Sequence, residues 1–181
     1  MILQTERLIL RPWCEADAES LYRYAGDERV ADPTGFPVHT DVENSRETIR
    51  NILSAEGNFA VCLKEDGLAV GSIGLSVGRE SNLDIPETEG ELGYWIGVPF
   101  WGRGLIPEAA QALIRYAFEE KHLERLWCGY FDGNEKSRRV QEKCGFAYHH
   151  TLSDVPWPKL GTTLTEHITC LERTAWEAKQ E

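Results

Sequence analysis

Apolar positions along the chain recur with two periods, and these divide it into strands and helices. Residues 5–12 (TERLILRP) are rich in β-compatible apolar side chains and stop at a proline, which predicts an opening strand. Helical spacing follows twice: residues 15–24 set Ala18, Leu21 and Tyr22 on one face, and residues 42–53 set Ile49, Ile52 and Leu53 on another. Between them, Asp32-Pro33-Thr34-Gly35-Phe36-Pro37 predicts a turn with an exposed aromatic ring. Residues 59–63 and 68–77 read as a β-hairpin whose turn is supplied by the Asp66-Gly67 pair. A third strand over residues 90–98 follows the polar loop 81–88, expected to be a plain surface connection.

In the second half, residues 107–120 carry a wide apolar face of Ala109, Ala110, Leu113, Ile114, Ala117 and Phe118, and Pro107 is tolerated because first-turn amides have no intrahelical acceptor. Residues 125–131 predict a strand, and 134–144 a helix stopped by Gly145. Two closing strands, 146–152 and 163–171, flank the loop Pro156-Trp157-Pro158-Lys159-Leu160-Gly161. With no repeat or linker in view, this order predicts a single α/β (α+β) domain over residues 1–181, a mixed sheet with helices on both faces.

Composition narrows the function. A formal net charge of -11 repels a polyanionic backbone, so no nucleic-acid partner is expected; a cationic partner such as an amine fits better, although solubility alone asks for the same charge. No apolar run is long enough for a membrane helix, and the first residues lack a signal-peptide layout, so a cytoplasmic protein with no membrane partner is expected. The five cysteines (Cys14, Cys62, Cys128, Cys144 and Cys170) contain no CxxC pair and are expected to be reduced core residues; no metal site is expected.

The segment from Glu91 to Ala109 (ELGYWIGVPFWGRGLIPEA) runs from a strand through a glycine turn into a helix. Such a turn aims unpaired amides and the positive helix end at one point, where an anionic phosphate is stabilised. Gly102 and Gly104 permit close backbone approach and Arg103 adds a positive charge; a tight turn with no ligand is the other reading. Neither GxxxxGK[ST] nor GxGxxG is completed, since position 107 is proline.

Taken with that turn, the run Asn134-Glu135-Lys136-Ser137 to Cys144-Gly145-Phe146 and the opening TERLILRPW resemble the Gcn5-related N-acetyltransferases (GNAT), and within them the RimJ/RimL-like branch. The resemblance spans nearly the whole chain. It implies the GNAT acyl-CoA N-acyltransferase fold, with a mostly antiparallel mixed sheet. It also implies acetyl-coenzyme A as cosubstrate, its pyrophosphate on the backbone of Gly102, Arg103, Gly104, Leu105 and Ile106, its pantetheine arm paired with Ile96, Gly97 and Val98 and reached by Asn134. For Asn134 a helix N-cap is equally good chemistry. Trp101 stands where the family has glutamine or arginine, and Ile106 where it has a small residue.

An alkylammonium loses a proton before it attacks a thioester, so a carboxylate base is useful. The resemblance assigns that role to Glu91, with Glu89 two residues away on the same strand face in reserve and a solvated carboxylate as the plain alternative. It assigns Ser137 to the leaving thiolate, against the reading of a polar first-turn residue; the family's tyrosine four residues later is Gln141 here, which cannot act as an acid. His149 and His150 are neighbours in a strand and are expected to face opposite sides, unable to share one ion. Trp13, Phe36, His39 and Trp157 either line the acceptor side or simply pack. The expected activity is acetyl transfer to a primary amine, a protein N-terminus or a small molecule such as an aminoglycoside or polyamine, by a monomer or homodimer. A coenzyme A-binding module without catalysis is the alternative.

Overall fold

The computed structural model describes residues 1–158 and 160–180. Its strands are β1 (Leu3–Gln4), β2 (Leu8–Arg11), β3 (Asn58–Leu63), β4 (Ala69–Val77), β5 (Glu89–Ile96), β6 (Arg125–Phe131), β7 (Ala147–Trp157) and β8 (Thr162–Glu172). The helices are α1 (Ala18–Ala25), α2 (Glu28–Thr34), α3 (Val42–Thr48), α4 (Leu105–Arg115), α5 (Glu135–Cys144) and α6 (Arg173–Glu177). The sheet order is β1-β2-β3-β4-β5-β6-β8-β7. β5 and β6 run parallel, whereas β1–β2, β2–β3, β3–β4, β6–β8 and β7–β8 are antiparallel, as the expected mixed, mostly antiparallel sheet requires. The chain forms two compact units, Met1–Gly74 with Tyr94–Ala109, and Leu75–Gly93 with the chain from Ala110 onward.

In the first unit, Leu8 and Leu10 are fully buried on β2, and Trp13, Leu21, Ala25, Ile49, Ala60 and Cys62 form one apolar cluster. The opening strand is shorter than its hydrophobic pattern. Thr5 N donates to Leu8 O, and this turn leaves β1 and β2 as a small hairpin. Ala18, Leu21 and Ala25 make the buried line of α1, so Tyr22 lies outside it and is exposed. Beyond Thr48 the chain widens into a π turn over Ile49–Leu53 that buries Ile49 and leaves Ile52 in solvent.

The helix α2 was not foreseen. Asp27 caps it by accepting from Arg29 N at 3.0 Å, and Gly35, at φ 78, ends it in the left-handed region that glycine tolerates. Pro33 sits late in this helix, and Phe36, expected to be exposed, packs partly buried against the apolar cluster.

In the second unit, Ala110, Leu113 and Ile114 of α4, then Ala117 and Phe118 of a π turn over Tyr116–Glu120, form the buried face that the pattern predicts. Leu126, Ile168 and Leu171 bury the centre of β6 and β8. Strands β7 and β8 each extend to 11 residues and shorten the expected loop 156–161; Lys159 of that loop lies outside the described residues. The short α6 was also not foreseen, and its Trp176 meets Phe118 at a ring distance of 5.3 Å. Among the described residues no cysteine is in a disulfide; Cys62 and Cys128 are buried, but Cys14 is exposed rather than a core residue.

Candidate active site

Strand β5 ends at Ile96, two residues before its expected limit, because Val98–Phe100 forms a 3-10 turn. Ile96 O accepts from the Trp101 indole at 2.9 Å, and Gly97 N donates to Val70 O at 2.8 Å, so strand end and turn are tied together. Trp101 thereby serves as a clasp at the position where the family resemblance expects glutamine or arginine. Gly102 and Gly104 both have φ 73, a conformation that a side chain disfavours. Among the described residues, nothing accepts from the amides of Gly102, Arg103 or Gly104. They lead into α4, whose first-turn amides include those of Leu105 and Ile106.

A brace that the sequence did not reveal holds this turn. Glu108, in the first turn of α4, accepts from Thr5 Oγ1, from Arg7 N at 2.8 Å and from Arg7 Nε at 2.7 Å. Arg7 Nη1 also donates to Arg103 O at 3.0 Å. Burial pushes the Glu108 carboxyl up, but the Thr5 and Arg7 donors outweigh it and hold the group below its usual range. The acidic side chain also complements the positive end of the helix. Unpaired amides, two left-handed glycines and the Arg7 guanidinium make a cradle suited to a phosphate, while the Arg103 guanidinium lies over the Phe100 ring at 5.7 Å.

The first unit also gathers most of the aromatic residues considered for the acceptor side. Trp13 stacks on Trp95 at 6.5 Å and donates to Ser72 Oγ; Phe36 contacts Trp95 at 5.7 Å and His39 at 5.9 Å. His39 Nδ1 lies 2.8 Å from Ser45 Oγ, and burial lowers its affinity for a proton. Trp157 belongs to the second unit and packs edge-on against Phe131.

In the second unit, Asn134 is the N-cap of α5 and accepts from Ser137 N at 3.1 Å. Gln141, only 1% exposed, donates from Nε2 to Gly129 O at 2.9 Å and to Ser137 Oγ at 3.2 Å, while its Oε1 accepts from Thr169 Oγ1 at 2.7 Å. A buried amide is costly unless paired, and this one is paired at both ends. Gln141 therefore fixes the Ser137 hydroxyl, a positioning role that its neutral chemistry alone did not suggest.

Glu89 and Glu91 occupy alternate positions of β5, opposite Arg125 and Trp127 of β6. Glu89 accepts from the Trp127 indole and pairs with Arg125 at 3.5 Å. Glu91 Oε2 accepts from Ser81 Oγ at 2.7 Å and Asn82 N at 2.9 Å, so the loop 81–88 is more than a surface connection: it anchors this carboxylate. A third carboxylate, Glu166 of β8, was not singled out from sequence. Burial, then the charge of Glu91, pushes its pKa up to about 7.

The histidine pair departs from expectation. A register shift between Tyr148 and His150 breaks strand alternation, and the two rings come together with Nδ1 atoms 2.8 Å apart, both edge-on to Trp127. Among the described residues, no group of three or more His, Cys, Asp or Glu side chains is arranged to hold a metal ion, and no helix is long and apolar enough to cross a membrane.

The family profile described as an acetyltransferase (GNAT) domain matches residues 7–147. The chain belongs to the GNAT acetyltransferase family. This GNAT enzyme is 32% identical over 157 residues to "Uncharacterized N-acetyltransferase p20" of Bacillus licheniformis, a match covering 84% of this chain and 85% of that protein. It is 38% identical over 71 residues to the [Ribosomal protein uS5]-alanine N-acetyltransferase of Escherichia coli, covering 36% of this chain and 37% of that protein. The crystal structure of a GNAT-family acetyltransferase from Bacillus anthracis superposes with a TM-score of 0.82 at 25% identity, covering 96% of this chain and 99% of the other. The resemblance read from the glycine turn and the α5 segment is thus borne out.

Proposed function

We propose that this GNAT enzyme binds acetyl-coenzyme A and transfers the acetyl group to a primary amine by direct attack on the thioester, with a protein N-terminal amine as acceptor. The observation that carries the coenzyme reading is the braced turn, where the amides of Gly102, Arg103 and Gly104 have no acceptor among the described residues and Arg7 and Glu108 fix the backbone. A pyrophosphate satisfies such amides, and the pantetheine arm then extends along Ile96, Gly97 and Val98. The name of the Escherichia coli relative, an alanine N-acetyltransferase of a ribosomal protein, supports an N-terminal acceptor.

In this mechanism the amine nitrogen, once deprotonated, adds to the thioester carbonyl. The carbon–sulfur bond breaks as the coenzyme A thiolate leaves. Ser137, held by Gln141, donates a hydrogen bond to the growing charge on sulfur. Replacing Ser137 by Ala is expected to lower kcat about 10-fold while coenzyme affinity stays within about twofold, because an interaction made mainly in the transition state appears in the rate. Water that enters the vacated space limits the loss. Single-turnover rates beside calorimetric titration check this; impaired binding with an unaltered rate makes Ser137 only a coenzyme contact.

The acceptor is tested by following thiol release with acetyl-coenzyme A and three amine classes: peptides with free N-terminal Ala or Ser, Nα-blocked peptides containing lysine, and spermidine with an aminoglycoside. Turnover confined to the free N-termini supports the reading. Turnover confined to the small amines overturns the acceptor while leaving acetyl transfer intact.

A further inference from the structure

We propose that Glu166, rather than Glu91, takes the proton from the attacking amine, with Glu91 as its positioning partner. The assignment rests on the acetyl-transfer reading above. Its starting point is a difference in how partly buried carboxylates are paired. Asp17 has Arg11, Asp27 has Arg29, Glu108 has Thr5 and Arg7, Glu172 has Arg125, Glu89 has Trp127 and Arg125, and Glu91 has Ser81 and Asn82. Glu166 is partly buried as well, yet no donor among the described residues reaches its carboxylate. A carboxylate withdrawn from water without a donor is costly for folding alone, and such groups concentrate where proton transfer needs them.

The backbone is cut to hold it. Glu166 stands opposite Phe131 of β6 and Leu152 of β7, and its side chain runs along β6 over Gly129. A Cβ at position 129 would lie 2.9 Å from Glu166 Cδ and overlap Oε1, so the glycine leaves room for the carboxylate in this position, and a larger residue would make it shift. Among the described residues, Glu91 of β5 is the charged group that acts on it; its neighbours in register are Phe131 of β6 and Leu152 of β7, with the titratable His150 further along β7, opposite Ile168. Glu91 is held in place by its two donors, Ser81 Oγ and Asn82 N, which fixes its carboxylate beside Glu166.

The chemistry matches. With its pKa pushed up to about 7, Glu166 is close to the roughly 7.7–8.0 of an α-ammonium, and well below the roughly 10.4 of a lysine side chain. Proton transfer from an N-terminus is therefore nearly balanced, which favours the α-amine acceptor. One proton passes from the ammonium to the Glu166 carboxylate. The freed lone pair forms the carbon–nitrogen bond as the carbon–sulfur bond breaks, and the second nitrogen proton is lost as the thiolate becomes the thiol.

The test combines activity with a direct titration. With acetyl-coenzyme A and an N-terminal peptide, wild-type kcat/KM is expected to fall below about pH 7, and a carbon-13 carboxyl signal assigned to Glu166 should titrate over the same range. Glu166→Gln should lower kcat on the order of 100-fold, abolish that limb and leave calorimetric coenzyme affinity unchanged. Glu91→Gln should move the limb to lower pH by removing the neighbouring charge. A Glu166 signal titrating near 4, or a Glu166→Gln enzyme that keeps the wild-type limb, overturns the assignment even when the wild type transfers acetyl. Coenzyme bound but no transfer by wild type to any amine instead overturns the acetyl-transfer reading, and this assignment with it.

Discussion

Replacing Gly104 by Asp is expected to weaken acetyl-coenzyme A binding about 100-fold, with the fold retained. Position 104 has φ 73, and a Cβ there meets only Arg7 Nη2, at 3.7 Å, so there is space for a side chain. Asp tolerates this left-handed conformation better than most residues, which keeps the conformational cost small. The charge does the damage: like charges about 4 Å apart repel by about 4 kcal/mol at an effective dielectric of about 20. Screening by salt and by Arg7 reduces this, which leaves roughly the stated 100-fold, or about 2.7 kcal/mol. Gly104→Asn is the informative control, since it has the shape and backbone preference of Asp without the charge and should lose less than about 10-fold. Calorimetric titration of both variants separates the contributions, and equal affinities for Asp and Asn would remove the phosphate from this turn.

Asp17→Ala is expected to destabilise the enzyme by about 3 kcal/mol at pH 7. Arg11 donates from both terminal nitrogens to the two Asp17 oxygens at 2.7 Å, and Cys14 N adds a third bond at 3.0 Å. Truncation leaves the guanidinium facing a desolvated gap, and breaking a buried pair from one side typically costs about 3–5 kcal/mol. The low end applies because 25% of the Arg11 side chain remains exposed. Burial raises the Asp17 carboxyl, but the Arg11 and Cys14 donors more than offset it and hold the pKa below the usual value. A depressed native pKa contributes stability above the unfolded value, near pH 3.9, and loses it as pH falls through the native one. Urea unfolding should therefore show a constant gap between wild type and Asp17→Asn above about pH 5, narrowing below about pH 4. A gap that does not change with pH would mean that the pair contributes nothing through its charge.

The features legible in the sequence are those governed by neighbours along the chain. The β-hairpin turns at Gly67, with φ 74, where its Asp-Gly pair placed it, and α5 runs from its Asn134 cap to Gly145 because both signals lie within a few residues of the helix. The missed helix α2 had an Asp cap and a terminal glycine as well, but Pro33 spoke for a turn and its packing against the core decided otherwise. Pairing at a distance was out of reach. Arg7 and Glu108 are 101 positions apart, and the meeting of Glu166 with Gly129 depends on the register of β6 with β8. The bulge that joins His149 to His150 has no composition cue, since either residue suits a regular strand.

The brace at Glu108 changes what the first residues of the chain are for. A short amino-terminal hairpin looks like the part of a protein most open to trimming, tagging or recoding. Here Thr5 and Arg7 supply every donor that reaches the Glu108 side chain among the described residues, one of them a main-chain amide that no side-chain replacement restores. An engineered version that rewrites this hairpin therefore edits the glycine turn proposed to hold the phosphates from about a hundred residues away.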